Sequence, residues 1–289
     1  MTRPLRIIYP GAIYHITVRG NRKQDIFLDN TDRKIFLQTL TSVIKTYHWI
    51  CHAYCLMNNH YHLIIETPET NLSSGMRDLN GIYTQRFNKR HNTTGHVFQG
   101  RFKAFVVEKE SYLLEVSRYV VLNPVRSGLV MSPEKWPWSN FCFTSGLKKS
   151  PPWLTINWTL DYFSSQLSKA YKMYRTFVME GLEREMPKMR KEDGIVLGSP
   201  QFVHEVWRIA KKSSEKKEVS RAEKIIGRPS LEELFRDIRG IEERNSAIRF
   251  ARECCGYSGS TIAHFLHLSP TTVSLIARGK SKKIKKGKR

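Results

Sequence analysis

Two short segments rich in β-branched and aromatic residues flank an Asn-Asn turn, and no other pattern in the chain restricts its fold as strongly. The segments are Ile50 to Cys55 and His60 to Glu66, and the turn is Met57-Asn58-Asn59. This composition predicts two antiparallel strands joined by a short hairpin. Because side chains alternate across a strand, His60 and His62 are expected to project from the same face.

The two histidines are a candidate metal site. Imidazole nitrogen is a good ligand for Mn²⁺ or Zn²⁺ and a tolerable one for Mg²⁺. Two converging imidazoles leave most of the metal's coordination sphere open, which suits catalysis. The same spacing is also typical of ordinary strand histidines on a polar face, so the pair alone is a weak indication.

A second segment carries a tyrosine and an asparagine at helical spacing. Residues 110–123 have apolar positions that predict a helix, with Ser111 as a candidate N-cap. Tyr119 and Asn123 are four residues apart and therefore lie on one helix face, where a hydroxyl and an amide oxygen can meet the same metal-bound phosphate. The amide oxygen is a hard donor, so Asn123 is a candidate third ligand.

These residues also have ordinary explanations. Tyr119 fits an amphipathic helix that packs on a core, and Asn123 fits the end of a helix before Pro124. Tyr112 lies two turns earlier on nearly the same face and competes as a nucleophile. Tyr119 is preferred because it alone has an asparagine four residues later.

Five passages in the first half of the chain carry further recognisable motifs. In order, they are Pro10 to Asn21, Met57 to His62, Phe98 to Phe102, Arg118 to Arg126 and Trp136 to Ser139. Together they resemble the single-tyrosine, His-hydrophobic-His transposases, and more closely the REP-associated tyrosine transposases of bacteria. The resemblance implies that Tyr119 is the nucleophile. It also implies that His60 and His62 bind Mg²⁺ or Mn²⁺, with Asn123 at the position of the third ligand.

The resemblance further implies an α+β fold, in which a ferredoxin-like antiparallel sheet carries helices on one face. The periodicity of the apolar residues agrees with this fold. Besides the hairpin, it predicts strands at Ile13 to Arg19 and Lys103 to Val107, and helices at Asp32 to Thr46, at Leu72 to Asn88 and around Tyr119.

The chemistry that the resemblance implies is DNA strand transfer without hydrolysis. A phenolate from Tyr119 attacks the scissile phosphorus, a deoxyribose 3′-OH leaves, and the product is a 5′-phosphotyrosine. A second 3′-OH can attack this phosphotyrosine and so reverse the step. The chain has no Walker-type loop, which fits an energy-independent transposase and endonuclease. Two other functions stay open: a catalytically silent binder of hairpin DNA or RNA, and a metal-dependent nuclease that uses water.

The charge balance favours a nucleic-acid partner. The chain has 48 Lys and Arg against 26 Asp and Glu, a formal net charge of +22, and both halves are basic. Such a charge predicts phosphate binding with counterion release, although ribosomal and membrane-surface proteins share it. The candidate contacts to single-stranded or hairpin DNA in the first half are Arg19, Asn21, Arg22, Arg101 and Lys103. A solvated turn with scattered surface charge is the alternative.

Composition shifts predict four regions. They are a catalytic domain at residues 1–150, a helical extension at 151–210 that includes a helix from Thr159 to Glu185, a charged linker at 211–228, and an all-α DNA-binding domain with a basic tail at 229–289.

The last region has a helix-turn-helix pattern between Ser258 and Ala277. Ala263 is the small residue at the helix crossing, and His267 falls where glycine is usual in the turn. The segment resembles the helical DNA-binding domain at the C-terminus of replication initiators, and a protein-docking module is the alternative. If it binds duplex DNA, the residues that face the major groove are Thr271, Thr272, Ser274 and Arg278.

The sequence favours a cytoplasmic protein with no membrane partner. It has no apolar stretch of membrane-spanning length, its N-terminus lacks a signal-peptide pattern, and its five cysteines have no disulfide-framework spacing. Monomer and dimer are both compatible with the sequence.

Overall fold

The structure, a computed structural model, describes residues 7–182, 195–214, 229–236, 238, 240–253 and 255–277. The chain divides into two compact units, one of residues 8–189 and one of residues 190–289 together with residues 1–7. The predicted boundaries at residues 150, 210 and 228 stay predictions. Most of the predicted linker, the tail and Arg278 lie outside the described residues.

An antiparallel sheet organises the first unit. Its strands are β1 (Ala12–Arg19), β2 (Ile50–Leu56), β3 (His60–Thr67) and β4 (Lys103–Val107), and they lie side by side in the order β2-β3-β1-β4. Helix α1 (Asn30–Tyr47) joins β1 to β2, and helix α2 (Leu72–His91) joins β3 to β4. This order of elements and strands is ferredoxin-like, so the predicted fold is confirmed.

Helices α1 and α2 pack on one face of the sheet. Phe36 of α1 lies against the ring of Tyr61, with ring centroids 4.6 Å apart, and both side chains are fully buried. The Tyr61 hydroxyl donates a hydrogen bond of 2.6 Å to the side chain of Asn80 in α2. Burial of such aromatic side chains is a main source of the stability of this layer.

Helix α3 (Leu113–Arg126) lies on the opposite face. Its Tyr119 contacts His62, which neighbours Tyr61 along β3 and therefore points the other way. Helices α1 and α2 thus lie on one face of the sheet, as predicted. Helix α3 forms an additional layer on the other face. This layer carries the candidate site.

Pro124 does not end α3, so that part of the prediction is wrong. The helix continues through Pro124 to Arg126. A proline has no N–H to offer the carbonyl four residues earlier, here that of Val120. The side-chain amide of Asn123 donates to the Tyr119 carbonyl at 3.0 Å and lies 3.5 Å from the Val120 carbonyl, which partly compensates for the missing donor.

Three more α-helices lie in the described part of the first unit. They are α4 (Phe141–Thr144), α5 (Asn157–Asp161) and α6 (Leu167–Glu180). The prediction of one continuous helix from Thr159 to Glu185 is wrong, because the chain leaves the helical conformation before Leu167. The Ser164 hydroxyl accepts a hydrogen bond from the Gln166 N–H, a local bond that competes with helix formation.

The described part of the second unit is mostly helical. It has a two-residue strand, β5 (Val196–Leu197), and helices α7 (Pro200–Ser214), α8 (Leu231–Phe235), α9 (Ile241–Glu253), α10 (Gly259–Phe265) and α11 (Pro270–Ala277). Helices α9, α10 and α11 share a core that includes Ile248, Ile262, Ala263, Val273 and Ile276. Among the described residues, no helix has the length and apolar character needed to cross a membrane.

Candidate active site

Strand pairing fixes the positions of the two predicted metal-binding histidines. In the register between β1 and β3, Arg19 lies opposite His60, and Thr17 lies opposite His62. The ring centroids of His60 and His62 are 5.1 Å apart. His62 is buried, whereas His60 is partly exposed. The structure therefore brings the two imidazoles together on one face, as the sequence predicted.

A third histidine, which the sequence analysis missed, lies beside them. His15 of β1 is fully buried, and its Nε2 atom is 3.0 Å from Nδ1 of His62. The ring centroids are 5.2 Å apart and the ring planes differ by 8°, so the two rings meet edge to edge. His15 is an even number of residues from Arg19 and hence on the same face of β1. Only the register between β1 and β3 shows that this face meets His62.

Tyr119 of α3 contacts two of the three histidines. Its ring meets His62 edge to face at a centroid distance of 5.5 Å, and His15 in the same manner at 5.8 Å. Tyr112 precedes the first residue of α3. It has no ring contact with any of the three histidines within the part of the chain that the structure describes. The geometry thus favours Tyr119 over Tyr112 as the residue near the imidazoles.

Burial keeps the imidazoles neutral. It lowers the pKa of His15 from 6.5 to about 4, and burial together with the nearby charge of Arg19 lowers the pKa of His60 to about 4. The pKa of His62 is lowered well below 6.5, again by burial first and then by its two histidine neighbours. A neutral imidazole keeps a lone pair on one nitrogen, which is the form that binds a metal.

Hydrogen bonding indicates which nitrogens are available. Nδ1 of His60 is 2.7 Å from the side-chain oxygen of Asn59. Because that oxygen only accepts, Nδ1 carries the hydrogen and Nε2 keeps the lone pair. Nε2 of His62 is buried and has no hydrogen-bond partner among the described residues. Two unengaged Nε2 atoms on one face fit a divalent metal ion.

Any further ligands of such a metal would be groups other than a cluster of His, Cys, Asp or Glu side chains. The described residues contain no cluster of three or more His, Cys, Asp or Glu side chains arranged to bind a metal. Asn123 lies one helical turn after Tyr119, and its amide nitrogen is engaged with helix carbonyls. Its amide oxygen is therefore the atom of Asn123 that is suited to a metal.

Two residues of α3 oppose the effect of burial on Tyr119. Burial raises the pKa of the Tyr119 phenol above 10.0, whereas a hydrogen bond with Asn123 and the positive charge of Arg126 lower it. Arg126 lies seven residues after Tyr119, which is two helical turns along the same face. No role was predicted for Arg126, although its spacing from Tyr119 is visible in the sequence.

Two of the predicted DNA-binding residues lie on the same sheet face. Thr17 pairs with His62 on one side and with Lys103 on the other, and Arg19 is two residues further along β1. Arg19 and Lys103 are both exposed. Two positive charges therefore lie on the same sheet face as the histidines. Arg101, also exposed, lies two residues before Lys103.

The loop after β1 holds the predicted contacts Asn21 and Arg22. Arg22 is exposed and has a left-handed backbone with φ of 52°. A Cβ atom on Gly20 would lie 2.1 Å from the carbonyl oxygen of Gln24. The glycine is thus required by the close packing of the loop on itself.

The predicted contacts of the last region have different surroundings. Thr271 is exposed at the start of α11, and Ser274 is partly buried. The N–H and hydroxyl of Thr272 both bond to the Ser269 hydroxyl, at 3.1 Å and 2.8 Å, which caps the helix. His267 adopts the left-handed conformation, with φ of 51°. The helix-turn-helix assignment and the major-groove contacts stay predictions.

Comparisons with known proteins agree with the motifs of the first unit. Residues 9–123 match the sequence profile of the family "Transposase IS200 like". A Haemophilus influenzae protein described as a REP-associated tyrosine transposase is 27% identical over 146 residues, which cover 45% of this chain and 80% of that protein.

Two solved structures also align. One is a REP-associated tyrosine transposase bound to a REP hairpin, with a TM-score of 0.45 and 21% identity over 54% of this chain and 92% of that one. The other is a transposase of Deinococcus radiodurans, with a TM-score of 0.31 and 13% identity over 41% of this chain and 95% of that one. In sequence, residues 9–123 of this chain are therefore similar to the IS200-like transposase family.

Proposed function

We propose that the first unit is a metal-dependent DNA strand transferase that cleaves and rejoins single-stranded or hairpin DNA through Tyr119. The observation that supports this most directly is the contact of Tyr119 with His62, whose rings are 5.5 Å apart, beside a second neutral imidazole. The family match and the description of the Haemophilus influenzae relative support the same class of reaction.

His60 and His62 would bind the metal through their Nε2 atoms, with the amide oxygen of Asn123 as a third donor. Mg²⁺ or Mn²⁺ fits this set, because two imidazoles and one amide oxygen leave room for phosphate and water oxygens. When bound, the ion supplies Lewis-acid stabilisation of the charge on the phosphate oxygens.

Tyr119 performs the covalent step in this proposal. Its Oη loses a proton and attacks the phosphorus, the bond between phosphorus and the 3′ oxygen breaks, and the 3′ oxygen takes up a proton. A second 3′-OH reverses the step and joins strands. Asn123 and Arg126 favour the phenolate, since both lower the pKa of Tyr119 against the effect of its burial.

The exposed cations beside the histidines would bind the DNA backbone. Lys103 lies opposite Thr17, which pairs with His62, and Arg19 lies opposite His60. Asn21 and Arg22 lie in the loop that follows β1. Arg101 extends this group. Contacts of this kind position the strand and make the affinity depend on salt.

We also propose that α10 and α11 form a helix-turn-helix unit that binds duplex DNA. The left-handed His267 in the turn, the shared core and the exposed Thr271 at the start of α11 support this assignment. A cytoplasmic location follows from this partner as part of the same proposal. Cys51, Cys55 and Cys142 are free and buried, which is compatible with a reducing compartment.

A denaturing protein gel tests the covalent step. The protein is incubated with Mg²⁺ or Mn²⁺ and labelled hairpin oligonucleotides taken from the flanks of its gene. We expect label at protein mass for the wild type and for the matched control Tyr112→Phe, and none for Tyr119→Phe, which should still bind the hairpin. Binding without any adduct would instead favour the silent binder, and free 5′-phosphate without an adduct would favour a nuclease that uses water.

A further inference from the structure

We propose that His15 is a positioning residue that holds His62 in the tautomer needed for metal binding. The proposal rests on the proposed function in one respect, which is that His62 is a metal ligand. It assigns a role to a side chain that belongs neither to the nucleophile nor to the ligand set.

The geometry places a hydrogen bond between the two rings. Nε2 of His15 is 3.0 Å from Nδ1 of His62, and the rings are nearly parallel. His15 is fully buried and His62 is 5% exposed, so water cannot easily replace either partner. Tyr119 packs edge-on against both rings and helps to exclude solvent.

A single hydrogen is shared by these two nitrogens, and its position decides whether His62 can bind a metal. If Nδ1 of His62 carries the hydrogen and donates it, Nε2 of His62 keeps its lone pair and is a ligand. If His15 donates instead, Nε2 of His62 carries a hydrogen and cannot bind. The first arrangement requires an acceptor at position 15, and His15 supplies it through Nε2.

Removal of the acceptor leaves a buried N–H without a partner in the metal-binding tautomer, and this disfavours that tautomer. His15 is not itself placed as a ligand, because its Nε2 is engaged with His62. Its Nδ1 is buried and has no hydrogen-bond partner among the described residues. Histidine ligands of metals commonly use their second nitrogen in this way, and loss of the supporting group costs about 10-fold to 100-fold in metal affinity.

The test is the affinity of the full chain for Mn²⁺ without DNA, measured by calorimetry and by the electron paramagnetic resonance of free Mn²⁺. We expect His15→Phe to bind Mn²⁺ about 10-fold to 100-fold more weakly than the wild type. We expect His15→Gln to retain most of the affinity, because its amide oxygen can accept the same hydrogen bond. His62→Ala should abolish Mn²⁺ binding.

His52→Phe is the matched control. His52 is another buried histidine of the sheet, and its Nε2 bonds to Glu66 at 2.9 Å. We expect this variant to bind Mn²⁺ like the wild type. Thermal denaturation in EDTA shows whether each variant is folded. If His15→Phe does not fold, the Mn²⁺ affinities of His15→Gln and His62→Ala are compared instead and test the role of the hydrogen bond.

Three results would overturn the proposal in distinguishable ways. If the wild type and His62→Ala bind Mn²⁺ equally, or neither binds it, the metal site itself is wrong. If the wild type binds Mn²⁺ and a folded His15→Phe matches it, His15 has no role in binding. If a folded His15→Gln is as weak as His15→Phe or His62→Ala, the side chain acts through its packing and not through the hydrogen bond.

Discussion

His15 is the residue whose buried, neutral state has the clearest consequence for stability. Its pKa is about 4 in the folded chain, whereas an unperturbed histidine has 6.5. Above about pH 6.5, His15 is neutral in both the folded and the unfolded chain. Between that pH and about pH 4, His15 takes up a proton only in the unfolded chain. The free energy of unfolding should therefore fall as the pH is lowered through this window.

We expect the melting temperature of the wild type in EDTA to fall between about pH 7.5 and pH 5. We expect the melting temperature of His15→Gln to fall less over the same pH range, because this variant lacks one of the groups that take up a proton on unfolding. Differential scanning calorimetry at both pH values measures the two losses. Equal losses in the two proteins would show that His15 is protonated in the folded state as readily as in the unfolded state.

Arg126 is the residue expected to set the pH dependence of the tyrosine. Its charge lowers the pKa of Tyr119, and its Nη2 atom also donates to the Gly181 carbonyl at 2.7 Å. We expect the pH profile of adduct formation to move to higher pH in Arg126→Gln and to stay in place in Arg126→Lys. An unmoved profile in Arg126→Gln would remove Arg126 from the activation of the phenol.

At the scale of elements, α2 offers a matched pair of glycines. A Cβ atom on Gly75 would lie 2.2 Å from the buried indole of Trp49, whereas a Cβ atom on Gly81 would meet nothing within 4 Å. We expect Gly75→Ala to lower the free energy of unfolding by about 1 to 3 kcal/mol through overpacking. We expect Gly81→Ala to leave it unchanged or raise it by up to about 1 kcal/mol, because alanine favours a helix. Urea denaturation measures both, and equal effects would contradict the packing of α2 on Trp49.

Elements that depend on local patterns were predictable from the sequence. The hairpin of β2 and β3 and the helices α1 and α2 follow from turn residues and apolar periodicity, and the structure has them within a few residues of the expected positions. The extension of α3 past Pro124 was not predictable, because it depends on where the side chain of Asn123 points. The role of His15 was hidden for a similar reason, since the register of β1 on β3 joins residues 47 positions apart.

At the scale of the whole molecule, α6 indicates where the first folding unit ends. Val121 and Leu122 of α3 share a core with Tyr174 and Val178 of α6. Two arginines of α3 also donate to carbonyls of this region, Arg118 to Phe177 at 3.2 Å and Arg126 to Gly181 at 2.7 Å. The packing of the tyrosine helix therefore depends on residues beyond position 150.

We expect a fragment of residues 1–150 to melt at a lower temperature than a fragment of residues 1–189 and to bind more of a hydrophobic dye, because it exposes the face of α3 that α6 covers. Thermal denaturation followed by circular dichroism compares the two fragments. Equal melting temperatures would support the boundary at residue 150 that the sequence predicted.

Duplex binding by the second unit is testable in the full chain. We expect Thr271→Glu to weaken binding to duplex DNA, because it brings a negative charge to the exposed start of α11, and to leave hairpin adducts unchanged. Gln38→Glu makes the same change of charge at an exposed position of α1 and serves as the control. Electrophoretic mobility shifts at two salt concentrations measure the affinities, and equal effects of the two variants would argue against a duplex site on α11.

Peptide mapping of the protein-DNA adduct by mass spectrometry is the most direct test of the proposed chemistry. The wild type is incubated with a hairpin oligonucleotide and Mn²⁺, treated with nuclease and protease, and the modified peptide is sequenced. We predict a nucleotide attached through its 5′-phosphate to Tyr119, and no modified peptide from Tyr119→Phe. A nucleotide on any other residue, or DNA cleavage by Tyr119→Phe at the wild-type rate, would contradict the assignment of Tyr119 as the nucleophile.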